Sequence, residues 1–146
     1  MNDGWPLPSE HAEPYAKPFW DGASQGVLRL QYCPDCGKHQ FFPRPWCQYC
    51  GSEALEWDDA DGVGRVYSYT VVRRAVTLPA FQEALPYVVG YVDLKEGPRI
   101  CTLFADCDPS EIESDIPVEV TFKQIDNNMS LPVFRLTDVE TADESA

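Results

Sequence analysis

Six cysteines carry the strongest chemical signal in this chain, and four of them fall in two matched units. Cys33-Pro-Asp-Cys36-Gly37 and Cys47-Gln-Tyr-Cys50-Gly51 share the pattern CxxCG, with ten residues between Cys36 and Cys47. Two intervening residues let the chain curl so that both sulfurs of a pair aim at one centre, and the following glycine supplies the positive φ that closes the turn. Two such knuckles place four thiolates tetrahedrally around one ion, with metal–sulfur bonds near ~2.3 Å. Disulfides are the competing reading, and a reducing compartment disfavours them. Four sulfurs close the coordination shell, which leaves no position for a reacting water, so the metal is expected to hold the fold. Zinc suits this site; iron in tetrahedral sulfur stays open. His39 is expected to be a solvated hairpin residue. Cys101 is read as a sheet or core residue and Cys107 as a loop residue, neither as a nucleophile.

Other chemistry is missing from the sequence. His11 and His39 are the only histidines, and no Ser-His-Asp order, nucleophile elbow or P-loop occurs. The formal charge is -13, from 24 acids and 11 bases. Residues 1–60 hold 9 acids and 4 bases, and residues 61–146 hold 15 and 7, so neither half is basic. Such a field repels phosphate backbones, which argues against a nucleic-acid platform built from Tyr67, Tyr69, Tyr91, Arg73 and Arg74. Those tyrosines are expected in the core. No apolar run is long enough to span a membrane, and the N-terminus lacks the basic and apolar regions of a signal peptide, so the expected compartment is the cytoplasm.

The elements around these residues read as mainly β. Thirteen Pro and nine Gly in 146 residues disfavour long helices. Residues 1–26 form an arm followed by a short helix from Pro18 to Gln25, with Gly26 as its stop. Residues 27–52 form the zinc ribbon, entered by an alternating strand over residues 27–33. Residues 53–137 hold a short strand at 53–57, then five strands at 65–74, 87–94, 99–105, 118–123 and 131–136. A single helical turn is expected within 106–116, a turn at 126–130, and a bulge or bend at Gly90. This order fits a five-stranded OB-fold barrel. Residues 138–146 read as an acidic, disordered tail. Between the first two barrel strands, Ala75–Pro86 carries Val76, Leu78, Phe81 and Leu85 at roughly helical spacing, which suits either a cap on the barrel mouth or a partner contact.

The order of motifs also resembles a known family. Phe19-Trp20-Asp21-Gly22 precedes G-x-L-x-L-Q-x-C-x-x-C-G and F-x-P-R-x-x-C-x-x-C-G. Then come G-x-V-Y-S-Y-T-V-V-R-R, P-Y-V-V-G-Y-V-D-L-x-E-G-P-R and L-P-V-F-R. From Phe19 to Arg135 this is similar to the acyl-CoA-associated OB-fold proteins with a rubredoxin-like zinc ribbon. The resemblance implies a helix, a zinc ribbon and an OB barrel in that order. It also implies a non-catalytic accessory subunit that assembles with a thiolase-like enzyme, an aldolase variant included, or with a hotdog-fold enoyl-CoA hydratase. On that expectation Cys33, Cys36, Cys47 and Cys50 hold structural Zn2+. Phe19, Trp20, Phe42, Arg44, Trp46, Leu78 and Phe81 are candidates for the partner face, since aromatics and arginine are common interface anchors. Arg73 and Arg74 are the first candidates for CoA phosphates, with Arg65 and Arg99 behind them.

Overall fold

The structure is a computed structural model and describes residues 13–74, 79–126 and 129–138. Expectations about the arm before residue 13, Val76, Leu78 and the tail after residue 138 lie outside the described residues. A 3-10 turn at Pro14–Ala16 leads into helix α1, Lys17–Ser24. Pro18 lies in its first turn, where a missing N–H costs nothing, and Lys17 pairs with Asp21 one turn on at 3.0 Å. Ala16, Phe19 and Ala23 are buried along one face.

The ribbon contains three strands in the order β2-β1-β3. They are β1 (Arg29–Cys33), β2 (Lys38–Gln40) and β3 (Glu56–Asp59). The third begins later than the expected 53–57 and pairs along β1, with Leu30 opposite Asp58 and Gln31 opposite Trp57.

Five strands then close a barrel: β4 (Val63–Val72), β5 (Tyr87–Leu94), β6 (Arg99–Phe104), β7 (Pro117–Asp126) and β8 (Met129–Leu136). Their order is β4-β5-β6-β8-β7, with a parallel step between β6 and β8 at Phe104–Phe134 and antiparallel pairing elsewhere. This is the OB topology expected. Val88, Val92 and Leu94 on β5, Ile100 and Phe104 on β6, Val118 on β7 and Phe134 on β8 form the core. The alternation that buries them turns Tyr91 and Cys101 outward.

Two expectations need correction here. The register shift lies in β4, between Val66 and Ser68, not at Gly90. Gly90 is required by close approach, because a Cβ there would overlap the Ser68 carbonyl oxygen. The strand tyrosines are exposed instead of core: Tyr67 is 52% exposed, and Tyr69 and Tyr91 also face solvent. Tyr67 sits at the bulge, where the Arg99 guanidinium covers its ring at 3.4 Å. The 106–116 segment holds a tight turn, closed by the Glu111 N–H donating to the Asp108 carbonyl at 2.8 Å. The gap between β4 and β5 contains a second short helix, α2 (Pro79–Ala84).

Helix α1 joins the two parts. It packs on β1 of the ribbon and on β7 and β8 of the barrel. Phe19, Leu28 and Leu30 therefore belong to the same apolar cluster as Phe134 and Val118.

Candidate metal centre and partner face

The first knuckle joins β1 to β2, and the second follows the loop after β2. Each closes in the same way. Gly37 N–H donates to the Cys33 carbonyl at 2.7 Å, and Gly51 N–H donates to the Cys47 carbonyl at 2.9 Å. Gly37 and Gly51 have φ of 76° and 80°, a left-handed conformation that other side chains resist. The four sulfurs lie within 4.8 Å of one another. Cys33–Cys50 and Cys36–Cys47 are both 3.6 Å apart. Four sulfurs each ~2.3 Å from one centre would be separated by about 3.8 Å, so the cluster fits a tetrahedral metal.

The metal-free thiols are unequal. Burial raises Cys47, but N–H groups of Cys50 and Tyr49 and the neighbouring thiols outweigh it, bringing the pKa to about 7. For Cys50 a Ser52 N–H lowers the value, but burial and the other three thiols push it to about 12. Burial and the Cys47 thiol also raise Cys36. A bound cation would overturn these values and expel protons.

His39 is not the solvated hairpin residue expected. Its Nε2 lies 2.8 Å from Asp58 Oδ2 on β3, and its ring packs at a tilt against Tyr32, with centroids 4.9 Å apart. That pairing points it away from ligand duty and leaves the metal to four cysteines.

Two residues that motif reading passed over sit behind the centre. Gln31 and Gln40 face each other across β1 and β2 and are buried. Gln40 Nε2 donates to Gln31 Oε1 at 2.7 Å and to the Trp46 carbonyl at 3.2 Å. Gln31 Nε2 donates to the Arg44 carbonyl, and Arg44 N–H donates back to Gln31 Oε1, both at 2.8 Å. Gln48 N–H donates to Gln40 Oε1 at 2.8 Å. The only sequence cue was a pair of polar residues on apolar-flanked strands next to the first knuckle.

The expected partner residues separate. Phe19 is 3% exposed and packs against Trp20, Phe41 and Phe42, with ring centroids 4.9–5.8 Å apart. Its place is the core, not a docking face. Trp20 and Phe42 are half-buried against the same cluster. Arg44 is exposed, and Trp46 is 54% exposed on the loop between knuckles. Tyr49, inside the second knuckle, is 50% exposed, with Lys38 over its ring at 4.8 Å. Phe81 on α2 is half-buried and stacks near Tyr87 at 5.8 Å. Both line a cleft of about 300 Å³ with Leu103, Phe104, Lys123 and Val133. Arg73 and Arg74 are exposed and follow Val72, the last residue of β4, which pairs with the cleft residue Tyr87. Arg99 pairs with Asp93 at 2.6 Å and Arg65 donates to the Asp115 carbonyl at 2.7 Å, so both are engaged locally. No helix among the described residues is long and apolar enough to cross a membrane.

A short helix, a four-cysteine ribbon and a closed OB barrel in this order define a class of two-part metal-stapled proteins. Residues 20–56 match the family described as the ChsH2 rubredoxin-like zinc ribbon domain, and residues 57–123 match the ChsH2 C-terminal OB-fold domain. A DUF35 domain-containing scaffold protein of Methanothermobacter thermautotrophicus is 36% identical over 94 residues, which is 64% of this chain and 69% of that protein. The chain thus belongs to the DUF35 family, of the ChsH2 type. A probable enoyl-CoA hydratase alpha subunit of Thermomonospora curvata is 40% identical over 120 residues, 80% of this chain. The chain spans only 36% of the length of that relative. A solved structure described as an Ltp2-ChsH2(DUF35) aldolase superposes with a TM-score of 0.76 at 35% identity, covering 85% of this chain and 95% of that one.

Proposed function

We propose that this chain is the non-catalytic accessory subunit of an acyl-CoA-processing complex, with a thiolase-like catalytic partner that makes or breaks a carbon–carbon bond in a CoA thioester. The likeness to the DUF35 chain of the aldolase, at 35% identity over 95% of that chain, carries this reading. The centre supports it: four cysteines with no open position suit a structural zinc, and His39 is occupied by Asp58. Exposed Trp46 and Arg44 form the docking face, together with half-buried Trp20 and Phe42. Phe81 and the cleft it lines face the shared ligand path, and the exposed Arg73 and Arg74 that follow β4 meet the CoA phosphates. The setting is the reducing cytoplasm, which keeps thiolates free to bind metal.

Co-expression with a thiolase-like subunit tests the reading. Retro-aldol cleavage of a β-hydroxyacyl-CoA is expected from the pair and not from this chain alone. A catalytic subunit that is soluble, monodisperse and fully active by itself would end it. Replacing Arg73 and Arg74 together by Ala is expected to weaken CoA-thioester binding by the assembled complex, and unchanged binding removes those residues from the site.

A second reading has its own support. Identity of 40% to the probable enoyl-CoA hydratase alpha subunit favours a hotdog-fold hydratase as the partner. Hydration of an enoyl-CoA by the copurified complex, without carbon–carbon cleavage, would select it.

A further inference from the structure

The loop that carries Trp46 has an unusual support. Residues 41–46 lie between β2 and the second knuckle, and Pro43 and Pro45 remove two backbone donors from them. No strand ladder holds this loop. Its backbone is instead held at Arg44 and Trp46 by Gln31 and Gln40, and Gln40 reaches past it to Gln48. These contacts bracket Cys47, a metal ligand, on both sides.

The two glutamines can do this only in one register. The β1–β2 hairpin has three rungs: Gln31–Gln40, Tyr32–His39 and Cys33–Lys38. Its closed end is the first knuckle. A ladder this short does not fix its own register, and a slip of one residue sends each side chain to the opposite face. Metal bound through Cys33 and Cys36 clamps the knuckle and so keeps both amides buried and opposed. Metal bound through Cys47 and Cys50 fixes the far end of the loop.

We infer that Gln31 and Gln40 are positioning residues that make the shape of the Arg44–Trp46 docking loop depend on metal loading. The partner face is then assembled only in the metal-bound ribbon, so an unloaded chain does not dock. The docking half of this inference rests on the function proposed above; the loop half does not.

The test uses the full chain with Gln31→Met and with Gln40→Met, which keep side-chain length and remove the amide. Metal is read by zinc stoichiometry and by the cobalt-substituted absorption spectrum. Loop order is read by amide hydrogen exchange at Arg44 and Gln48. One metal per chain and an unchanged cobalt spectrum are expected, with exchange faster by about tenfold, since buried backbone groups lose their partners. Docking to the catalytic subunit that copurifies with the wild-type chain is expected to weaken by about tenfold. In these variants unchanged exchange would overturn the inference, and so would loss of the metal at saturating zinc, because the glutamines would then be holding the metal site itself and not the loop. Should either variant fail to fold, stripping metal from the wild-type chain decides: exchange at Arg44 and Gln48 must rise as metal leaves, and constant exchange refutes the coupling. A wild-type chain that captures no catalytic subunit defeats the proposed function, and the exchange readout then judges the loop alone.

Discussion

The ribbon has three short strands, and Leu30, Cys33 and Cys47 are among its few fully buried apolar side chains. The barrel encloses Val66, Val88, Val92, Leu94, Ile100, Phe104, Val118 and Phe134. Each such residue contributes roughly 1.5–3 kcal/mol through burial, so the barrel has a core large enough to offset chain entropy. The ribbon does not, and four sulfurs with two buried amides stand in for it. Solvent-facing polar groups of the ribbon can change with little effect, whereas loss of a ligand removes most of what orders it.

Metal removal gives the largest expected effect. Structural zinc supplies on the order of 10 kcal/mol to modules of this kind, so chelation or Cys47→Ser is expected to abolish amide protection across β1–β3. Protection in β5 and β6 is expected to survive, because their partners are other barrel strands. Simultaneous loss of both would break the contrast and make α1 a rigid coupler of one cooperative unit. Within the barrel, Phe134→Ala removes a fully buried ring and is expected to destabilise by about 3–5 kcal/mol while zinc stoichiometry stays at one. Denaturant unfolding and metal analysis on the same sample check both halves. Gly90→Ala comes next, at about 1–3 kcal/mol, because the new methyl meets the Ser68 backbone and β4 must shift. A neutral result in thermal unfolding would mean the β4 bulge absorbs the methyl.

The two regions were not equally legible in sequence. The cysteine cluster was readable, since CxxCG spacing brings four sulfurs and two glycine turns together, but the buried glutamines behind it were not. In the barrel, period-two burial located β5 to the residue, and the other strands to within a few. Strand ends drifted where polar residues continue a ladder, as at Gln124–Asp126 of β7. Three misreadings and one omission share one cause. Phe19 in the core, Tyr67 at the surface, His39 paired to Asp58 and the buried glutamines all depend on which distant strand lies opposite. β1 pairs with β3 across the whole metal-binding segment, and nothing local in either strand announces it.

Trp46 offers the smallest expected effect on folding and the sharpest on assembly. Its side chain is 54% exposed, and the contact that Gln40 makes with it is to the backbone carbonyl. Trp46→Ala should therefore change stability by no more than about 0.5 kcal/mol, as surface substitutions usually do. A tryptophan at the centre of a docking face commonly carries 2 kcal/mol or more of binding, so partner affinity is expected to fall about thirtyfold or further. The comparison residue is Tyr67, almost equally exposed but on the barrel and covered by Arg99. Tyr67→Ala is expected to leave partner affinity unchanged in the same titration. Equal losses from both would place the interface across ribbon and barrel alike, and a loss from Tyr67 alone would move it off the ribbon.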